Sequence, residues 1–188
     1  MVTAVDNDVY QSGTNWIGIP DPTGSNGNMS VDPEFTDDAG GDLSLRASSP
    51  CLERGQESTL SADFAGLPRS QDSNLDGAAA PDIGAFETSG EVEGVRVEGM
   101  LPTLRWDAHP FAVRGYDVYE GLLSVLSETG NSVQSPPICG YGQTAIEIPV
   151  SPPAGDGQYY LVVPHGTVPG SLGFDSNLQE RVNCLPCQ

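Results

Sequence analysis

The chain has no lysine. Its seven basic residues are all arginine and stand against 26 aspartates and glutamates, so the formal net charge is −19 over 188 residues. Without lysine there is no Schiff-base amine, no phosphate-cradling lysine and no catalytic ammonium. The shortage of positive charge excludes a nucleic-acid surface, which needs a basic patch, and disfavours anionic lipid headgroups. Long apolar runs are missing too, and none reaches the roughly 18 residues needed to span a bilayer. Hydrophobic residues make up 37 % of the chain, enough for a core but not a large one. No amphipathic helix of useful length is present, and only Leu122 to Leu126 can form a helical turn. The nucleophile elbow Gly-x-Ser-x-Gly is absent. The first residues, Met1-Val2-Thr3-Ala4-Val5-Asp6, lack a basic n-region. The chain is therefore expected to be either cytosolic or the mature part or an excerpt of an exported protein.

What is present is acid, glycine, proline and four cysteines. A dense acidic surface suits hydrated cations, above all calcium. Cys51, Cys139, Cys184 and Cys187 form an even set, which suits disulfides in an oxidising compartment; four cysteines allow three pairings. A link from Cys139 to Cys184 or Cys187 would pin the C-terminal tail. The Cys184-Leu185-Pro186-Cys187 spacing is that of a redox motif, but only Gln188 follows, so no helix can lower a thiol pKa there. Zinc would want a second close cysteine pair, and Cys51 and Cys139 are isolated.

Composition shifts near Thr88-Ser89-Gly90, which places a boundary at about residue 89. Beyond it the pattern is all-β. Val92 to Met100 alternates, with Val95 and Val97 on one face, and Leu104-Arg105-Trp106 follows. Tyr116-Asp117-Val118-Tyr119 puts Tyr116 and Val118 on one face and Asp117 and Tyr119 on the other. Ala145 to Val150 repeats the pattern, and Tyr159 to Val163, the most apolar strand, is expected to be central. Short strands between Gly and Pro turns predict a β-sandwich. Before the boundary, Val9-Tyr10, Trp16 to Ile19, Leu43 to Leu45 and Ile83 to Phe86 are short strand candidates. The loops between them are rich in Asn, Asp and Gly, which suits the end of a solenoid.

An ordered run of segments in the first half resembles the last coils of secreted bacterial right-handed parallel β-helix proteins of the choice-of-anchor type. It comprises Asn7-Asp8-Val9-Tyr10, Asp21-Pro22-Thr23-Gly24, Asn28 to Phe35, Asp42-Leu43-Ser44-Leu45, Ser48 to Gly55, Asp63 to Arg69 and Asp82-Ile83-Gly84-Ala85-Phe86-Glu87. Where the family usually has Ile-Asp, this chain has Leu52-Glu53, a longer acid. The second half is similar to the fibronectin type III-like modules that follow such helices. Leu104 to Ala108, Tyr116 to Gly121, Tyr159 to Val162 and Gly170 to Asn177, with Glu180-Arg181, carry that match. The resemblance implies terminal β-helix coils over residues 1–88 and a fibronectin type III-like β-sandwich over 89–188.

The strongest local motif is Asp72-Ser73-Asn74-Leu75-Asp76-Gly77. Oxygen ligands at alternate positions followed by Gly open a calcium loop of the EF-hand kind. Position twelve is Ile83 rather than Glu, so Asp82 or Glu87 would have to complete the shell. The expected metal ligands are Asp72, Asn74, Asp76 and Asp82. The competing reading is an Asp/Asn-rich turn that caps its own backbone. Asp32, Asp37, Asp38 and Asp42 form a second acidic cluster, read as a solvated loop. His109 and His165 precede turn residues and sit in no nucleophile motif. Trp106 reads as core, and Trp16 as coil packing rather than a sugar platform. Asn28-Met29-Ser30 matches a glycosylation sequon.

These features point to a non-catalytic extracellular or cell-surface module, structural or adhesive and calcium-stabilised. The alternatives are the C-terminal part of a polysaccharide lyase or hydrolase, or a glycan-binding module. Partners would be a glycan or a cell-surface protein. An end coil without a cap would also favour self-association through the N-terminal face.

Overall fold

The computed structural model describes residues 3–57, 59–100, 102–129, 134–148, 152–175, 177–181 and 187. The fold is all-β, with small antiparallel sheets and a single seven-residue helix among the described residues. The chain divides into two compact units, Met1–Ser89 and Gly90–Gln188.

The first unit has little regular structure. β1 (Phe35–Asp37) pairs antiparallel with β2 (Asp42–Leu45), in register Phe35 with Leu45 and Asp37 with Asp42. The turn between them is closed by side chains. Asp37 Oδ1 accepts from the Gly40 N–H at 3.0 Å, and Asp38 Oδ1 from the Ala39 N–H at 2.8 Å. A parallel bridge joins Asp8 to Met29, and antiparallel bridges join Ala62 to Pro68 and Gln71 to Ala80. Of the four strand candidates only Leu43 to Leu45 is a named strand, as part of β2. Trp16 to Ile19 is a series of bends, with Gly18 at φ 81° and Ile17 84 % exposed. Ile83 to Phe86 also bends rather than extends.

The core of this unit is small and partly polar. Leu45, Ala47, Cys51, Leu52 and Leu75 are buried alongside Asn28, Ser49, Ser73, Asp82 and Glu87. Buried polar groups must be hydrogen-bonded or they destabilise, and here they bond chiefly to the backbone. Asn28 is a hub. Its amide donates to the carbonyls of Ala4 and Ser25, each at 2.8 Å, and its oxygen accepts from Asn7 Nδ2 at 2.9 Å. The sequon asparagine is thus 3 % exposed with its amide engaged, which leaves no room for a glycan.

The second unit holds two three-stranded sheets. One has the order β3 (Arg96–Glu98), β4 (Thr103–Arg105), β7 (Ala145–Glu147). The other has the order β6 (Ile138–Tyr141), β5 (Tyr116–Leu122), β8 (Gln158–Pro164). The central strand of the second sheet is β5, not the more apolar β8, because β5 finds partners on both sides among the described residues. Leu104 and Trp106 of the β4 arm share one cluster with Tyr116, Val118 and Val162 of the second sheet. The Trp106 ring meets Tyr116 edge-on at 5.4 Å, a favoured aromatic geometry. Residues 116 to 119 alternate as the sequence predicts, yet both faces are buried. Tyr119 packs with Val163 and Leu172 on the opposite side. Val95 and Val97 are both exposed instead.

Helix α1 (Leu123–Thr129) has no acidic residue in its own first turn. Asp156 supplies the cap from elsewhere in the chain, accepting from the Ser124 N–H at 3.0 Å and the Ser124 hydroxyl at 2.6 Å. These bonds hold the Asp156 carboxyl below its usual range. Asp156→Ala should therefore destabilise the second unit, as loss of a helix cap does. Urea denaturation followed by far-UV circular dichroism would measure this.

Candidate functional site

The most concentrated polar chemistry lies around Glu53, Asp82 and Glu87 in the first unit. Turn 72–77 forms because Asp and Asn side chains bond backbone groups just ahead of them. Asp72 accepts from the Asp76 N–H at 3.1 Å and the Gly77 N–H at 2.8 Å. Asn74 Oδ1 accepts from the Asp76 N–H at 2.9 Å, and Asp76 Oδ1 from the Ala78 N–H at 2.8 Å. Leu75, only 1 % exposed, anchors the turn in the core and adopts φ 59°. For a bulky residue this left-handed backbone is unusual.

Glu53 ties this turn to the rest of the unit. Its carboxylate accepts from the Asn74 N–H at 3.0 Å, the Ser73 hydroxyl at 3.2 Å and the Asn74 side-chain amide. The longer acid at position 53 thus spans to a neighbouring loop. Sequence reasoning noticed Glu53 only as a departure from a pattern, since its partners lie some twenty residues away. Its own N–H donates to Asp82 Oδ1 at 2.7 Å, and the Thr88 N–H donates to Asp82 Oδ2 at 2.8 Å.

Asp82 and Glu87 are neighbours with buried carboxyls. The Asp82 N–H reaches the Glu87 carboxylate at 3.3 and 3.4 Å. Arg69 Nε stands 2.9 Å from Glu87 Oε1, and the Glu87 side chain is wholly buried. Burial pushes Asp82 up to about 6, against the backbone hydrogen bonds from Glu53 and Thr88. Burial, and then the charge of Asp82, pushes Glu87 up to about 7, against the Arg69 guanidinium. Desolvation outweighs pairing at both groups.

The structure therefore brings Asp72, Asn74 and Asp76 together in one turn and commits Asp82 to other partners. Carboxylates of Asp72, Asp76 and Asp82 do not converge on one centre; among the described residues the one set of three His, Cys, Asp or Glu ligand atoms close enough to share an ion is Asp117, Cys139 and Cys187. A cation at the turn would be held by Asp72, Asn74 and Asp76 through the lone pairs their backbone bonds leave free. The second acidic cluster is a set of turns. Asp32 accepts from the Glu34 N–H at 3.0 Å, and Asp42 from the Ser44 N–H at 3.1 Å and hydroxyl at 2.6 Å. The Ser44 bonds hold the Asp42 carboxyl below its ordinary value.

The cysteines separate clearly. Cys139 and Cys187 form a disulfide across 48 residues, so neither offers a thiolate to a metal. Cys51 is a free thiol and not a disulfide partner. It is 1 % exposed, and its Sγ lies 3.4 Å from Asp8 Oδ2. Burial, the bond to Asp8 and the charge of Asp8 push the thiol up to about 12. It stays protonated and is a poor nucleophile. Cys184 lies outside the described residues.

Neither histidine meets a nucleophile among the described residues. His109 is buried, which lowers it to about 4, and its Nδ1 accepts from the Phe111 N–H at 3.3 Å. His165 Nδ1 lies 3.6 Å from the buried Asp117 carboxylate, whose Oδ1 accepts from the Gly140 N–H at 2.9 Å. Trp106 is in the core at 2 % exposure, and Trp16 donates to Thr23 Oγ1 at 3.2 Å. No helix among the described residues is long and apolar enough to cross a membrane. No family model, curated protein or solved structure matches the chain.

Proposed function

We propose that the chain is a non-catalytic structural or adhesive module of an extracellular or cell-surface protein, stabilised by calcium. It comprises the last coils of a right-handed parallel β-helix followed by a fibronectin type III-like sandwich. The observation that carries the functional reading is the use made of the carboxylates. Glu53, Asp63, Asp72, Asp76 and Asp82 all accept from backbone N–H groups and so act as scaffold. The disulfide supports an oxidising compartment. The sandwich is supported by strand orders β3-β4-β7 and β6-β5-β8 sharing one cluster, an interleaving that Greek-key sandwiches use. The β-helix is supported by the parallel bridge between Asp8 and Met29, since stacked coils pair in parallel.

Calcium would be held at the 72–77 turn. Chelation with EDTA should lower the melting temperature of the first unit, and added calcium should restore it. An unchanged transition would remove calcium from the account. Incubation with uronic-acid polymers and neutral glycans should release no product; turnover would overturn the non-catalytic reading.

A glycan-binding module is the second reading. It is favoured by Phe64, 81 % exposed, whose ring meets Phe86 edge-on at 5.6 Å. Exposed rings are platforms on which sugars stack, and a glycan array probed with the intact chain would reveal such binding.

A further inference from the structure

The first unit contains a cleft of about 920 Å³, whose lining includes Asp8, Asp32, Glu34 and Asp38. Tyr10, Phe35 and Phe86 bring three aromatic residues to it, and Arg46 is the one basic residue among its described lining. A volume near 900 Å³ is in the range of sites that take a small ligand or a short piece of chain.

The charges in the cleft are not equally available. Asp8 is committed, accepting from the Val31 N–H at 3.1 Å and lying 3.4 Å from the Cys51 sulfur. Arg46 is committed as well. Its Nε donates to the Phe35 carbonyl at 3.1 Å and an Nη to the Thr36 carbonyl at 2.8 Å, so it braces β1. The other three acids keep an oxygen open. Asp32 and Asp38 each use Oδ1 on a backbone N–H, and Glu34 uses Oε2 on the Ser48 hydroxyl. Their second oxygens take no hydrogen bond from another described residue.

Open carboxylate oxygens beside aromatic rings favour an ammonium or guanidinium, through charge-assisted hydrogen bonds and cation–π attraction. They disfavour a polyanion such as a uronic-acid polymer. The complementary charge is scarce in this chain itself, which has no lysine and seven arginines. A second copy is therefore a poor occupant.

We propose that this cleft receives an extended lysine- or arginine-bearing segment of a partner protein, its cation held among Asp32, Glu34, Asp38 and the rings of Tyr10, Phe35 and Phe86. The proposal rests on the adhesive reading only in taking the occupant as a partner rather than a substrate.

The test is fluorescence anisotropy of a labelled Lys-Ala-Lys-Ala-Lys-Ala peptide with the intact chain at 0.15 M ionic strength, where long-range attraction is largely screened. Asp32→Asn with Asp38→Asn should weaken binding about tenfold. Each change keeps an acceptor oxygen for its backbone bond, and melting curves would verify the fold; Asp38→Asn alone, at an exposed turn, should weaken binding about threefold. Glu128→Gln with Glu147→Gln in the second unit removes the same charge and should change binding less than twofold. No binding, equal loss in both double variants, or equal binding of the glutamate counterpart of the peptide would overturn the proposal. Spermine binding more tightly than the peptide with the same variant dependence would overturn the peptide occupant. Turnover of a glycan would instead sink the non-catalytic reading and leave the peptide result standing.

Discussion

Lowering the pH from 8 to 5 should raise the melting temperature of the first unit by on the order of 10 °C. Asp82 and Glu87 cause this. Their ordinary values are 3.8 and 4.5, and in the fold they rise to about 6 and about 7. Between these limits the folded state holds protons that the unfolded chain has released. Stability from the pair is therefore full below about pH 4 and is lost as the pH rises through 6 and 7. A shift of about two units corresponds to roughly 3 kcal/mol for either group alone, and less than twice that for the two together because they share one environment.

A second slope opposes the first at lower pH. Asp21 and Asp42, in the same unit, are held below their ordinary values by bonds from Thr23 and Ser44. Their contribution is present above about pH 4 and is lost as the pH falls further. The first unit should thus be most stable near pH 4 to 5. Part of any gain on acidification comes from relief of the −19 charge. Glu87→Gln separates the two causes, because it removes one raised carboxyl and keeps an oxygen for the Asp82 N–H. Calorimetry from pH 5 to 8 should show a flatter dependence in the variant. A wild-type transition that falls on going from pH 8 to 5 would contradict the account.

The same pair shows where sequence reading stops. In Asp82-Ile83-Gly84-Ala85-Phe86-Glu87 the apolar residues look like the buried ones. The fold instead buries both terminal acids, because backbone N–H groups of Glu53 and Thr88 and the Arg69 guanidinium gather around them. Glu53 and Arg69 come from other loops of the unit, and no local pattern announces them. Trp16 to Ile19 failed as a strand because Gly18 takes a positive φ that breaks extension. β1 carries one large apolar residue, Phe35, so it had no pattern of its own; its pairing follows from β2 and the turn between them. β5 was legible because Tyr116 and Val118 alternate with Asp117 and Tyr119. That its second face is also covered depends on Leu172, some fifty residues on. The 72–77 turn was legible as an Asx-rich turn, because its bonds are local. The site it forms with Glu53 was not.

Removing the Cys139–Cys187 disulfide should have an effect of similar size, confined to the second unit. The bond spans 48 residues, and the chain-entropy relation assigns a loop of that length about 4 kcal/mol. For a unit of this size, a drop in melting temperature on the order of 15 °C follows. Cys139 lies in β6, beside the Gly140 N–H that donates to the buried Asp117 carboxylate at 2.9 Å. Releasing the tail should therefore loosen the edge of that sheet first, and amide exchange at Gly140 should quicken more than at Val162 in the core. Cys139→Ala with Cys187→Ala should show both effects and leave the first unit's transition in place. Cys184→Ala should show neither. If Cys184→Ala instead reproduces the loss while Cys187→Ala is silent, the tail is pinned through the other cysteine. If neither variant moves the transition, the crosslink contributes no stability and the oxidising compartment loses its main support.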